Sequence, residues 1–187
     1  MKPTLSFIIP TLGREQGLQR CIDSIKNLNY PQSLVDIRVI DGEGTVPEKV
    51  ARGVKETNGE YIIYGANDCE FTPESINEAL KVNKALVAFN TGITKPGSGG
   101  TCEHFMIRRD FIPKIGGEIF CTRMRHCGVD NLLQAKAEKL GEFEQCLTAV
   151  VHHYHFSRGG EYDSIYDKGW SHVEEDRILL DKKLKEI

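Results

Sequence analysis

The stretch Gly59-Glu60-Tyr61-Ile62-Ile63-Tyr64-Gly65-Ala66-Asn67-Asp68-Cys69-Glu70 decides how the chain is read. Its first half, Tyr61 to Tyr64, is apolar and aromatic, which suits a buried strand on a covered, pleated surface. Its second half cannot continue that strand. Gly65, Ala66 and Asn67 are small or turn-prone, and Asp68 and Glu70 are costly to bury without partners. In open α/β sheets, ligands bind beyond the carboxyl ends of strands. A carboxylate there can hold a hard divalent cation, which in turn holds phosphate oxygens. Asp68 can equally cap a turn, and both readings stand at this point. Thr72-Pro73-Glu74-Ser75 then marks a helix start, with Thr72 as N-cap and Pro73 in the first position. Asp68 and Glu70 are therefore expected on a short strand-to-helix loop.

Working outward, the upstream sequence repeats the same unit. Leu5 to Pro10 is an apolar run closed by proline and reads as a first buried strand, followed by the loop Thr11-Leu12-Gly13-Arg14. Leu18, Cys21, Ile22, Ile25 and Leu28 recur at helical spacing, which predicts a helix from about Gln16 to Asn27. Val35 to Ile40 reads as a second strand, with Asp41-Gly42-Glu43-Gly44-Thr45 as its exit loop and a helix over about 47–57. Strand, helix, strand, helix, strand is the pattern of a parallel α/β sheet with right-handed crossovers. Such a sheet brings Thr11–Arg14, Asp41–Thr45 and Gly65–Glu70 to one edge.

The downstream half is less regular. A helix is expected from Thr72 to about Val82, then a strand from Ala85 to Asn90. The span Thr91–Thr101 contains four glycines and a proline and reads as a loop. Cys102 to Arg108 reads as a strand, and Arg109 to Ile115 as a short helix ending at Gly116-Gly117. Asp130 to Leu140 predicts a helix capped by Gly141, with Asp130 at the end where negative charge is favoured. Cys146 to His155 alternates, which would place Leu147, Ala149, Val151, His153 and His155 on one face of a strand. Val173 to Ile187 predicts a charged helix docking through Val173, Leu180, Leu184 and Ile187.

Composition sets bounds on this reading. With 187 residues, 40% hydrophobic and 27% charged, the chain suits one domain with a real core. A net charge of −3 argues against a nucleic-acid-binding surface. No apolar run is long enough to span a bilayer, and Met1-Lys2-Pro3-Thr4 leads straight into a strand without a signal-peptide core. The six cysteines are scattered, which fits reduced thiols and a cytoplasmic protein. Cys121, His126 and Cys127 lie close in sequence, but no CxxC pair supports a zinc site there.

Taken in order, these segments resemble the family-2 glycosyltransferases of the GT-A fold. Ser6 to Thr11 with Arg14 is similar to the family's opening strand and Pro-Thr loop, and Val39-Ile40-Asp41-Gly42 to its second strand. Gly53 and then Gly59-Glu60-Tyr61-Ile62 lead to Ala66-Asn67-Asp68, which stands where the family carries its acidic "DxD" triplet. Gly128-Val129-Asp130 through Gly141 resembles the "GED…L…A…G" segment, and Val150 to His155 the histidine-rich strand after it. The resemblance spans roughly residues 4–158. Ala66 and Val129 depart from the pattern and leave Asp68 and Asp130 as the carboxylates of their motifs.

The resemblance implies a single GT-A-like α/β domain with a mostly parallel central sheet flanked by helices. Residues 1–90 would form the nucleotide-binding half, 91–158 the acceptor half and 159–187 a helical extension. It implies sugar transfer with inversion from a UDP- or GDP-linked donor to an acceptor hydroxyl, assisted by Mn²⁺ or Mg²⁺. Asp68, with His153 or His155, would hold the cation. Thr11, Arg14, Asp41 and Asn67 would line the donor nucleotide pocket, and Asp130 would be the catalytic base. A nucleotidyltransferase on a related sheet is the rival enzyme, although the Thr11–Arg14 loop has one glycine and one arginine where a glycine-rich basic loop is usual. A non-catalytic nucleotide-sugar-binding module is the other alternative.

Overall fold

The computed structural model describes residues 1–92, 102–160, 162 and 164–187. Residues 93–101, most of the expected glycine-rich loop, lie outside the described residues. The strands are β1 (Leu5–Pro10), β2 (Val35–Ile40), β3 (Tyr61–Tyr64), β4 (Cys69–Phe71), β5 (Leu86–Asn90), β6 (Phe105–Arg108) and β7 (Phe143–His153). The helices are α1 (Glu15–Lys26), α2 (Val46–Glu56), α3 (Ser75–Ala79), α4 (Val129–Lys139), α5 (Ile165–Trp170) and α6 (Val173–Glu186). One sheet runs β2-β1-β3-β6-β5-β7-β4. Five strands share a direction, and only β6 and β4 are reversed.

The sheet is covered on both faces, and the residue alternation shows how. Ile8, Ile62, Tyr64, Leu86, Ala88, Phe105 and Ile107 belong to one cluster, packed by α2, α4 and α6. Phe7, Ile9, Ile63, Val87, Phe89 and Met106 belong to the other, packed by α1 and α3. Successive strand residues point to opposite faces, so a strand buried on both sides reads as an unbroken apolar run. That is why β1, β3 and β5 are legible in the sequence.

Local signals hold the helices. Thr45 and Glu48 form a reciprocal capping box at the start of α2, with Pro47 in its first turn. Gly53 lets α2 lie against β1, because a Cβ there would come within 2.6 Å of the Ile8 side chain. Arg109 ties the α2–β3 connection down, donating to the carbonyls of Gly59 (2.7 Å) and Val54 (2.9 Å) and to the Thr57 hydroxyl (2.9 Å).

The structure corrects four expectations. Glu70 is not in a loop, since Cys69–Phe71 forms β4 and pairs antiparallel with β7. That pairing takes Thr72 with it: its N–H and hydroxyl both go to the Val150 carbonyl, so Thr72 cannot cap, and the helix shrinks to Ser75–Ala79. The strand expected from Cys102 begins only at Phe105. In β7, Cys146 lies opposite Phe89 but Val150 opposite Asn90. This bulge resets the alternation, so Cys146, Ala149 and Val151 are buried while Leu147 is exposed.

Helix α6 is also rotated from the expected stripe. Leu179, Leu180 and Ile187 pack on the core, while Val173 and Leu184 are exposed. The buried residue that sets this rotation is Asp176, which accepts 2.8 Å hydrogen bonds from the backbone N–H groups of Arg125, His126 and Cys127. Asp176→Ala strands three backbone donors, so it is expected to lower stability by about 3 kcal/mol or more, read from the urea midpoint. Gly53→Ala is expected to cost about 1–3 kcal/mol by overpacking against Ile8, despite the better helix propensity of alanine.

Candidate functional site

Because β2, β1 and β3 are adjacent and parallel, their exit loops meet at one edge. The meeting is hydrogen-bonded. The Thr11 N–H donates to the Ile40 carbonyl (3.0 Å). The Asn67 side-chain amide donates to the Thr11 hydroxyl and to the Gly13 carbonyl, both at 2.8 Å. Thr11 in turn donates to the Gly13 carbonyl (2.6 Å). From below, the ammonium of buried Lys49 on α2 donates to the Thr11 carbonyl (2.6 Å). Burial lowers the Lys49 pKa, although the Asp41 carboxylate counters this. Thr11 and Asn67 thus shape the loop, while Asp41 is exposed beside it, its backbone carbonyl accepting from Arg52 (2.6 Å).

Asp68 is the centre of the edge. It is buried, yet three groups converge on its carboxylate. Arg14 donates to Oδ2 at 3.1 Å, the Tyr166 hydroxyl donates to Oδ2 at 3.2 Å, and His153 Nε2 stands 3.3 Å from Oδ1. The His153 contact is long and short of ideal hydrogen-bond alignment, which leaves Oδ1 without a well-aligned donor. Burial opposes ionisation, but His153, His104 and Arg14 outweigh it and hold the Asp68 pKa well below the usual carboxylate range. Arg14 itself has φ +61°, the left-handed region that residues with side chains seldom occupy. It packs over the Tyr166 ring at 4.1 Å.

A second carboxylate stands behind His153. Glu103 Oε2 is 3.5 Å from His153 Nδ1, and Arg158 donates to both Glu103 oxygens at 2.7 and 2.8 Å. Against desolvation, His153 and Arg158 bring the Glu103 pKa down to about 2. Desolvation lowers the His153 pKa, but Asp68 and Glu103 reverse this and raise it. His104 is buried beside His153, with ring centres 4.5 Å apart, and burial pushes its pKa down to about 3, so it is neutral. His155 lies one step out. Its Nδ1 pairs with the Ser157 hydroxyl (2.7 Å), and its ring packs against Phe156 and Tyr166.

Asp130 enters from the other half of the chain. It occupies the first turn of α4, after Gly128 at φ +75°, where a Cβ would come within 2.7 Å of Leu180 on α6. Desolvation raises its pKa to about 6, opposed by backbone hydrogen bonds at the helix start. The buried Tyr64 phenol links the groups: burial raises its pKa most, and the charges of Asp130, Asp68 and Glu103 all add to the rise. The structure therefore gathers Asp68, His153 and Arg14 in direct contact, with Asp130 in the same electrostatic neighbourhood and His155 beside them. Glu103, His104, Lys49, Arg158 and Tyr166 belong to the same assembly but carry no periodic signal. Only Cys102-Glu103-His104, an acidic and basic pair opening an apolar run, hinted at it.

No family model matches the sequence, and no curated protein matches it. Solved structures do match the fold. A mannosyltransferase from Pyrobaculum calidifontis, PcManGT, solved with GDP-Man and Mn²⁺, superposes with a TM-score of 0.62 at 15% identity, over 81% of this chain and 57% of its own. TarS of S. aureus gives a TM-score of 0.66 at 12% identity, over 79% of this chain and 36% of its own. A shorter TarS form, solved with UDP-GlcNAc, gives 0.64 at 13% identity, over 79% and 57% respectively. The chain thus spans between about a third and three fifths of the length of these proteins. What it shares with them is the α/β fold.

Proposed function

We propose that the chain transfers a sugar from a nucleotide-diphosphate donor to an acceptor hydroxyl with inversion, assisted by a divalent cation. The single observation that carries this reading is the Asp68 carboxylate. It sits beyond the carboxyl end of β3, ionised although buried, with one oxygen lacking a hydrogen-bond donor. An orphaned buried carboxylate oxygen beside a histidine suits a hard cation. Asp68 would hold it with His153, or with His155, whose ring centre lies 5.5 Å from that of His153. Bound there, the cation would stabilise the charge on the departing nucleoside diphosphate. The structural neighbours add weight, being glycosyltransferases solved with GDP-Man, UDP-GlcNAc or UDP.

The chain's own residues would do the rest. The Thr11–Gly13 loop, pinned by Asn67 and Lys49, would form a preset wall for the nucleoside, with exposed Asp41 accepting hydrogen bonds from base or ribose. Arg14 would exchange its pairing with Asp68 for donor phosphate oxygens, to which a guanidinium is well matched. Asp130 would take the acceptor's proton. A carboxylate with a pKa of about 6 is a stronger base than an ordinary one and is still ionised at neutral pH.

Calorimetric titration of UDP and GDP, each with and without Mn²⁺, tests the donor site. Metal-dependent binding of one nucleotide is expected in the wild type and lost in Asp68→Ala, whereas no binding of either would overturn the assignment. Asp130→Asn should bind nucleotide within about twofold of wild type yet lose about 10²-fold or more in transfer or donor hydrolysis. The wild-type rate should fall as pH drops through about 6, because protonated Asp130 cannot accept a proton. Intact nucleotide binding with no turnover in the wild type would instead indicate a binding module.

A further inference from the structure

Behind Asp68 lies a second cluster that shares only His153 with the donor reading. Cys69 opens β4 and is fully buried, and His104, 2% exposed, precedes β6. Cys69 Sγ is 3.2 Å from His104 Nε2, and His104 Nδ1 has no hydrogen-bond partner. His153 closes the group from β7, its side chain 11% exposed at the rim. One ligand atom from each of the three lies within 4.8 Å of the others. Three elements distant in sequence thus deliver a thiol and two imidazoles to one point, in a chain whose cysteines form no disulfide.

We infer that Cys69, His104 and His153 form a binding site for a borderline-soft divalent cation of the zinc class, distinct from the hard-cation position at Asp68. The donor set argues for that class. Thiolate and imidazole favour zinc over Mg²⁺ or Mn²⁺, which take oxygen ligands. Zn–S and Zn–N bonds of about 2.3 and 2.0–2.1 Å place neighbouring tetrahedral ligands about 3.3–3.6 Å apart. The Cys69–His104 pair, at 3.2 Å, is within a few tenths of an ångström of that spacing, and an adjustment of about an ångström at the rim residue His153 would bring in the third. The His153 ring is held from both sides, with Asp68 at one nitrogen and Glu103 at the other. Whichever nitrogen turns to the metal, the other keeps a carboxylate, the outer partner that orients ligating histidines. On ligation the Cys69 thiol becomes a thiolate and its proton passes to solvent. Three protein ligands leave a fourth position for water. Since His153 serves both sites, a zinc-class ion would compete with donor-site Mn²⁺ for it.

The test uses the metal alone, on reduced, nucleotide-free full chain, so its outcome is independent of sugar transfer. Titration with Co²⁺, the spectroscopic stand-in for Zn²⁺, is expected to give a thiolate charge-transfer band saturating near one equivalent and erased by Zn²⁺ but not by excess Mg²⁺. Cys69→Ala should lose the band while its circular dichroism matches wild type. His153→Ala, checked for fold by the same circular dichroism, should weaken Co²⁺ binding by about tenfold or more. The paired change Cys121→Ala with Cys127→Ala should leave the band unchanged. No band in the wild type overturns the inference. So does a band that survives in Cys69→Ala, a Co²⁺ affinity unchanged in His153→Ala, or a band that vanishes with Cys121 and Cys127.

Discussion

A buried ionised carboxylate has to be compensated, and Asp68 is compensated by groups from every side of the molecule. Arg14 comes from the start of α1, His153 from the end of β7 and Tyr166 from α5. Leaving a charge in this position without partners would cost several kcal/mol, far more than a surface ion pair contributes. The β1 loop, the histidine strand and the segment after it are therefore held in register by one side chain. The left-handed backbone at Arg14 fits this picture, since strain of about 1–3 kcal/mol persists where the surroundings over-determine a conformation.

Around that carboxylate the charges alternate. Asp68 and Glu103 flank His153, and Arg158 closes on Glu103 from outside. His104, deeper and desolvated, stays neutral. The result is an imidazole whose protonated form is favoured by the two carboxylates beside it, with a neutral imidazole behind it. Such an array can release a carboxylate or a histidine to an arriving cation without leaving a bare charge in the interior. Asp130 sits apart from it, in a more apolar setting that raises its pKa. The two carboxylates proposed for the site are thus pushed in opposite directions by environment, the means by which a charge-holding role can be separated from a proton-accepting one.

The second half of the fold is positioned by backbone capture. Asp176 of α6 takes three successive N–H groups of the segment before α4. Gly128 then admits Leu180 closely enough for α6 to pack on α4. Through these contacts the C-terminal helix fixes where α4 begins, and so where Asp130 stands. The helix that looks like an appendage in sequence is part of the site's frame.

The alternation of β-α units over residues 5–64 was fully legible, because strands buried on both faces and helices with one apolar face leave distinct periods in the chain. Convergence of Thr11, Asp41 and Asp68 followed from that order alone, since parallel neighbours must end on the same edge. The resemblance of the ordered motifs then pointed to Asp130 and the histidine strand. The rest was not legible, for identifiable reasons. β4 is three residues long and exists only because β7 is there to pair with it, so Thr72 looked like a cap until that pairing claimed it. A bulge in β7 put Cys146 inside and Leu147 outside while Ala149 and Val151 kept the expected face, which no alternation rule can foresee. The stripe of α6 was set by a polar residue, Asp176, that hydrophobic periodicity ignores. Sequence by itself determined the order of the elements and the edge at which they end, because both depend on local burial pattern. Only the tertiary structure decided that Cys69, His104 and His153 meet behind Asp68, because contacts between residues so far apart in the chain depend on the strand order of the whole sheet.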